Sequence, residues 1–75
     1  MTTTNLTMSP AKRTDRAGRI MDIYAQRVEA ANHDERFTEL LTDLLHCADC
    51  YGVDFQAALG MANLTYSAEI QNEAP

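Results

Sequence analysis

The chain has 75 residues, a net charge of −5 and a hydrophobic fraction of 45%, values typical of one small globular domain. No segment approaches the roughly 18 consecutive apolar residues of a membrane-spanning helix, and no basic stretch followed by an apolar run indicates a secretory signal. The sequence therefore predicts a cytoplasmic protein with no membrane association. Because a chain of this length forms only a small core, we expect oligomerisation to contribute to its stability.

The charges are unevenly distributed along the chain. All six basic residues lie at or before position 36, and the remainder of the chain contains six acids and no Lys or Arg. The first 36 residues therefore carry a net charge of +1, and the second part carries −6. This asymmetry predicts an acidic surface that repels nucleic acid and attracts a protein partner with a basic surface.

The first predicted helix follows a Thr-rich segment, residues 1–8, that we expect to be a disordered tail. Ser9 is a favoured N-cap, and Pro10 is favoured at the first helical position. Thr14 is an alternative cap, because basic residues in the first turns oppose the helix dipole. Apolar residues then recur every three or four positions, at Ala17, Ile20, Met21, Tyr24, Val28 and Ala31.

The second predicted helix has the strongest apolar face of the chain. Asn32 and Glu35 resemble a capping box at its start, and Asp34 is a competing cap. Gly52 fits the position just after its last residue, where glycine adopts a positive φ at little cost. The stripe consists of Phe37, Leu40, Leu41, Leu44, Leu45, Ala48 and Tyr51.

The third predicted helix begins after Asp54, a favoured N-cap, and its stripe consists of Phe55, Ala58, Leu59, Ala62, Tyr66 and Ile70. The short joint before it predicts that the second and third helices form an antiparallel αα-hairpin. The expected fold is an all-α, three-helix domain spanning residues 9–72, with a frayed C-terminus at 73–75. The three stripes are expected to enclose one small core.

Two leucines of the second helix lie away from the centre of its stripe. Leu41 and Leu45 widen the apolar face beyond what two partner helices can cover. We therefore expect these side chains to take part in self-association and the protein to be a homodimer.

Acidic residues provide the first candidate functional surface. Three of them follow one another at intervals of four on the second helix, and the whole set consists of Glu35, Glu39, Asp43, Asp49 and Asp54. The favoured interpretation is a solvated face that binds a basic partner. The alternative is a metal-dependent hydrolase, although magnesium would need further oxygen ligands from other helices.

A basic cluster at the start of the first helix provides the second candidate surface, and it consists of Lys12, Arg13, Arg16 and Arg19. Such a cluster can contact the phosphates of nucleic acid. We favour contact with an acidic surface, either that of the chain's own C-terminal half, of a second copy or of another protein. The helix after Gly52 has no basic residue, so the sequence does not fit a standard helix-turn-helix reader of DNA.

The segment from His46 to Cys50 contains a Cys-x-x-Cys pair, which is half of a common zinc site. The second half is missing, and a position near a helix C-terminus disfavours the reactive thiolate of a redox motif. We therefore interpret Cys47 and Cys50 as small residues at the edge of the core. The sequence predicts no metal, no cofactor and no catalytic residue, and hence a protein that is not an enzyme.

The pattern D-L-L-H-x-x-D-x-x-G-x-D-F begins at Asp43 and ends at Phe55. Together with flanking residues over 40–69, it resembles a group of short bacterial, phage and plasmid helical proteins of unassigned activity. Members of this group commonly have an aromatic residue at the position of Cys47, which argues against a metal site. The resemblance implies no catalytic residue. It raises the idea of an accessory or inhibitory protein of a mobile element, such as an anti-defence inhibitor.

Overall fold

The structure, a computed structural model, describes residues 9–73, with the backbone alone at residue 73. This part of the chain consists of three α-helices without a strand: α1 (Pro10–Ala25), α2 (His33–Tyr51) and α3 (Phe55–Glu73). The all-α, three-helix prediction is thereby confirmed. The predicted tail at 1–8 and residues 74–75 of the predicted frayed end lie outside the described residues. None of the three helices is long and apolar enough to span a membrane.

The start of α1 is capped as Ser9 and Pro10 predict. The Ser9 hydroxyl oxygen accepts a hydrogen bond from the backbone N–H of Lys12 at 3.2 Å, and Pro10 occupies the first turn. Thr14 lies inside the helix, where its hydroxyl donates to the Pro10 carbonyl at 3.0 Å. The alternative start at Thr14 is therefore wrong, and one side-chain cap outweighs the unfavourable sign of the nearby charges.

The end of α1 comes earlier than its apolar stripe indicates. The helix ends at Ala25, and the Gln26 N–H donates to the Ile23 carbonyl at 3.1 Å, which tightens the last turn. Val28 and Ala31, which the sequence places in the helical stripe, lie instead in the connection to α2. The prediction of a longer helix is wrong because the helical spacing of apolar residues continues past Ala25, where the backbone leaves the helix.

The start of α2 contains a reciprocal cap. The side-chain oxygen of Asn32 accepts from the Glu35 N–H at 2.9 Å, and the Glu35 carboxylate accepts from the Ala31 N–H at 2.9 Å. The second bond reaches one residue further back than in the standard capping box. Asp34 lies in the first turn of the helix, so the competing prediction of Asp34 as the cap is wrong.

The joint between α2 and α3 is a Schellman motif. Gly52 has a φ of +71°, and the Val53 N–H donates to the Ala48 carbonyl at 2.8 Å. The Asp54 carboxylate then accepts from the Ala57 N–H at 3.0 Å and caps α3. Both expectations for this joint, a glycine C′ residue and an Asp54 cap, are confirmed.

The interior of the single chain is much smaller than the sequence predicts. Among the described residues only Ala48 is buried, at 7% exposure, whereas thirteen large apolar side chains are between 40 and 75% exposed. The radius of gyration is 14.4 Å, compared with about 11 Å for a compact domain of this length. The three apolar stripes therefore do not enclose a core within one chain.

Candidate functional site

In the part of the chain that the structure describes, two polar contacts join α1 to the other helices. The Tyr24 hydroxyl donates a hydrogen bond to the Asp43 carboxylate on α2. The Arg13 guanidinium donates through Nε to both carboxylate oxygens of Glu69 on α3, at 2.8 and 2.7 Å. The side chain of Glu69 is only 11% exposed, so this ion pair is partly shielded from water. Little apolar surface is buried in the chain, and these two contacts link α1 to α2 and to α3.

The environment of Tyr24 favours its neutral form. Partial burial of the phenol, its hydrogen bond to Asp43 and the negative charges of Asp43 and Glu39 raise the pKa of Tyr24 to about 12. A phenolate at this position would lose the donated proton and would face two carboxylates. The phenol therefore keeps the proton that it donates to Asp43 until well above neutral pH.

The structure gives three of the five predicted acidic-face residues a local structural role. Glu35 and Asp54 accept backbone N–H groups at the starts of α2 and α3, and Asp43 accepts the hydroxyl of Tyr24. Glu39 and Asp49 are exposed, and no donor in the described part of the chain hydrogen-bonds to their carboxylates. These two side chains are the ones available to a partner.

The acids of α2 separate into two directions. Glu35, Glu39 and Asp49 share one helical face with Thr42 and His46, because all five follow one another at intervals of three and four. All five side chains are exposed, and we call this set the outer acidic face. Asp43 lies to one side of it and contacts α1. The predicted stripe of Glu35, Glu39 and Asp43 is therefore not one continuous binding surface, because Asp43 is engaged by α1.

The predicted basic cluster is also divided. Arg13 is engaged by Glu69, as expected if part of the cluster meets the acidic second half of its own chain. Lys12, Arg16 and Arg19 are exposed and line a shallow depression of about 310 Å³ together with Asp15. These three basic side chains leave a smaller cationic surface than the sequence indicates.

The candidate metal or redox residues are exposed. Cys47 and Cys50 both carry free thiols, and His46 is an exposed member of the outer acidic face. Within residues 9–73 no group of three or more His, Cys, Asp or Glu side chains lies close enough to hold a metal ion. The exposure of both cysteines differs from the sequence interpretation, which placed them at the edge of the core, because the single chain forms almost no core.

The apolar surface extends further than the two leucines predicted for self-association. Leu41 and Leu45 are 45 and 43% exposed. On α3, Met61 and Leu64 are more exposed still, at 64 and 67%. Sequence reasoning missed the second apolar face of α3 because it followed only the stripe that starts at Phe55.

The signal for that second face is present in the sequence. Four apolar residues of α3 follow one another at intervals of four, three and four, on the side of the helix opposite Phe55: Ala57, Met61, Leu64 and Ala68. We call these four residues the outer α3 face. No charged residue occurs in α3 before Glu69, so this surface is not broken by charge.

Comparisons of the chain with protein-family models, with curated proteins and with solved structures found no match.

Proposed function

We propose that the chain is a small, acidic, non-catalytic protein-interaction module that forms a homodimer and binds a basic surface on a partner protein. In this proposal α2 and α3 lie antiparallel as a helical hairpin, and α1 is held against them by its two polar contacts. The proposed location is the cytoplasm.

The observation that carries the proposal is the exposed apolar surface. Soluble monomers bury most of their large apolar side chains, and extensive exposed apolar surface marks a site of interaction. Here thirteen large apolar side chains are 40–75% exposed, and Ala48 is the one buried residue of the described chain. Such exposure is typical of a chain whose apolar side chains are buried against a second copy or a partner protein.

Charge supports the choice of partner. The chain carries a net charge of −5, and Glu39 and Asp49 on the outer acidic face are exposed without a donor among the described residues. Complementary charge increases the association rate and disfavours like-charged partners. A basic protein surface is complementary both to the net charge of the chain and to the exposed carboxylates of Glu39 and Asp49. From the resemblance that the sequence pattern of residues 40–69 suggests to short bacterial, phage and plasmid proteins, we propose an accessory or inhibitory role on a mobile element, such as inhibition of a host defence protein.

The partner proposal can be tested with a fluorescent oligolysine peptide as the basic probe, using fluorescence anisotropy at low and moderate salt. We expect salt-sensitive binding that weakens about tenfold in the double variant Glu39→Gln/Asp49→Asn, because two of the available charges are removed. The matched control is Asp15→Asn/Glu29→Gln, which removes two exposed charges away from α2. Equal losses in both double variants would mean that net charge, rather than the outer acidic face, determines binding.

A second candidate function is a nucleic-acid-associated regulator. The observation that favours it is the shared position of Lys12, Arg16 and Arg19, which are exposed around one depression of α1. This candidate predicts binding to a short DNA duplex or an RNA that weakens with salt. Replacement of these three residues and Arg13 by Ala should abolish the binding, and an absence of binding at low salt excludes the candidate.

A further inference from the structure

We infer that Cys47 and Cys50 form one half of a zinc site and that a second copy of this chain supplies the other half, so that four thiolates hold one Zn²⁺ between two chains. The inference rests on the self-association in the proposed function and adds a ligand to it. It applies to this chain and not to the group of short proteins that the sequence resembles, in which the position of Cys47 is commonly aromatic.

The first argument is that both thiols are accessible on one side of α2. The sequence interpretation placed Cys47 and Cys50 at the edge of a core, whereas the structure leaves both side chains exposed with free thiols. They are three positions apart, so they lie one above the other on the same side of the helix. Asp43, which accepts the hydroxyl of Tyr24, lies one turn earlier. The pair therefore lies beyond this contact with α1, next to the end of α2 at Tyr51.

The second argument selects a metal ion over a disulfide. Side chains three positions apart on a helix have Cβ atoms about 5–6 Å apart, whereas a disulfide needs about 3.5–4.5 Å. Two thiolates on one tetrahedral zinc ion, each at about 2.3 Å from it, leave their sulfur atoms about 3.8 Å apart. In a disulfide the sulfur atoms are only about 2.0 Å apart. The helix from His33 to Tyr51 therefore suits a chelated zinc ion better than an internal disulfide.

The third argument is the number of ligands. Structural zinc sites are closed by four ligands, which are often all cysteine. Within residues 9–73 no group of three or more His, Cys, Asp or Glu side chains can hold a metal ion, so the described chain brings only half of such a site. A two-fold interface uses the same surface on both subunits. A second copy therefore brings its own Cys47 and Cys50 to the same ion and completes the set of four.

The surroundings of the thiols favour a second copy over a small ligand in the two open coordination positions. Leu44 and Tyr51 share a side of α2 with Cys47, three positions before it and four positions after it. Their side chains are 40 and 75% exposed. A chain that is joined through zinc at Cys47 covers these apolar side chains, whereas water or a small thiol in the same coordination positions leaves them exposed.

Zinc binding has a defined charge and proton balance. A position near the end of a helix disfavours a free thiolate, but a metal ion deprotonates the thiols that coordinate it. Four thiols therefore bind as thiolates and release four protons to solvent, so the complex gains two negative charges for each zinc ion. Because protons compete with the metal, zinc affinity should fall as the pH falls below neutral.

The test adds Zn²⁺ or Co²⁺ alone to the reduced, metal-free full chain. The bound zinc should amount to one ion for two chains, and light scattering should give twice the chain mass of 8.4 kDa. Co²⁺ in the same site should give the near-ultraviolet absorption of cobalt–thiolate bonds and the intense visible bands of a tetrahedral ion. One ion for each chain, or no bound ion at micromolar zinc, overturns the inference.

Single variants identify the ligands. Cys47→Ser and Cys50→Ser should each lower the zinc affinity at least about a hundredfold, because each removes two of the four thiolates. Asp49→Asn is the matched control, since it lies between the two cysteines in sequence but on the outer acidic face, and it should change the affinity less than about threefold. A loss in His46→Asn as large as that in Cys47→Ser overturns the four-thiolate set. Circular dichroism checks that the helical content is unchanged.

The metal-free protein separates this inference from the proposed function. If the metal-free chain is dimeric and binds no zinc, the zinc site is wrong and the proposed function stands. If the chain is monomeric with and without zinc, both the zinc site and the proposed self-association are wrong. A dimer that holds one zinc ion supports both, whether it forms before the metal is added or only afterwards.

Discussion

The helices α2 and α3 have the same length, 19 residues each, yet they divide polar and apolar residues differently. In α2, six charged residues accompany an apolar stripe, so one side of the helix is suited to water. In α3, the charges are restricted to Glu69 and Glu73 near its end, and apolar residues occupy opposite sides. The difference shows that α2 has one apolar face to remove from water, whereas α3 has two.

The largest expected effect is a substitution at Ala48 of α2, the one buried side chain among the described residues. Ala48 of α2 is 7% exposed, and Ala58 of α3 is exposed. Ala48→Asp should destabilise the protein by about 3 kcal/mol or more, because a carboxylate loses its hydration there. Ala58→Asp should cost less than about 1 kcal/mol. Urea unfolding followed by circular dichroism measures both, at one protein concentration since dimerisation contributes to stability. Equal costs would mean that Ala48 is not an interior position.

An intermediate effect contrasts the end of α2 with the middle of α3. Gly52 has a φ of +71°, and a Cβ added there meets nothing within 4 Å, so Gly52→Ala is opposed by backbone conformation alone. We expect a loss of about 1–2 kcal/mol in the free energy of unfolding. Gly60 lies in regular helix with the same open surroundings, and Gly60→Ala should add about 0.5–1 kcal/mol. Thermal unfolding at one protein concentration checks the opposite signs, and a gain at both glycines contradicts the Schellman motif.

The smallest effect concerns the hydrogen bond from Tyr24 of α1 to the charged carboxylate of Asp43 on α2. Most of α3 has no charged residue that could accept such a bond. The pKa of Tyr24 is raised from 10.0 to about 12, so the protonated phenol is favoured in the folded chain. Its contribution to stability is complete below pH 10 and is lost as the pH rises to about 12. The Tyr24 titration can be followed by ultraviolet absorbance in a Tyr51→Phe/Tyr66→Phe background.

Asp43→Asn provides the control for this titration, because it removes the negative acceptor. We expect the pKa of Tyr24 to fall toward its ordinary value in this variant. An unchanged pKa would show that Asp43 does not hold the phenol. Glu29→Gln, at an exposed residue between α1 and α2, should leave the titration unchanged.

The starts of all three helices and the end of α2 were predictable from local sequence, whereas the end of α1 and the tertiary contacts were not. Ser9, Asn32 and Asp54 cap their helices because a side-chain oxygen reaches a backbone N–H three residues ahead. That interaction depends on adjacent residues alone. The end of α1 was missed because the apolar spacing continued through Val28, and spacing records which residues are apolar rather than whether the backbone remains helical.

The candidate surfaces were only partly predictable for a related reason. Residue type assigned Glu39 and Asp49 to the acidic surface, with Glu39 in a run of acids at intervals of four, and both are exposed. The same spacing placed Asp43 among them, although Tyr24 on another helix engages it. Contacts between residues distant in sequence, including the pair of Arg13 and Glu69, depend on how the helices lie against each other.

The sequence by itself determined the helical class, the caps, the left-handed glycine between α2 and α3, and the division of charge along the chain. These features follow from interactions within a few residues of one another. Only the tertiary structure decided which acids bind within the chain and how much apolar surface stays exposed. Burial is a property of the assembled helices, and in this protein the helices of one chain leave most of their large apolar side chains in contact with water.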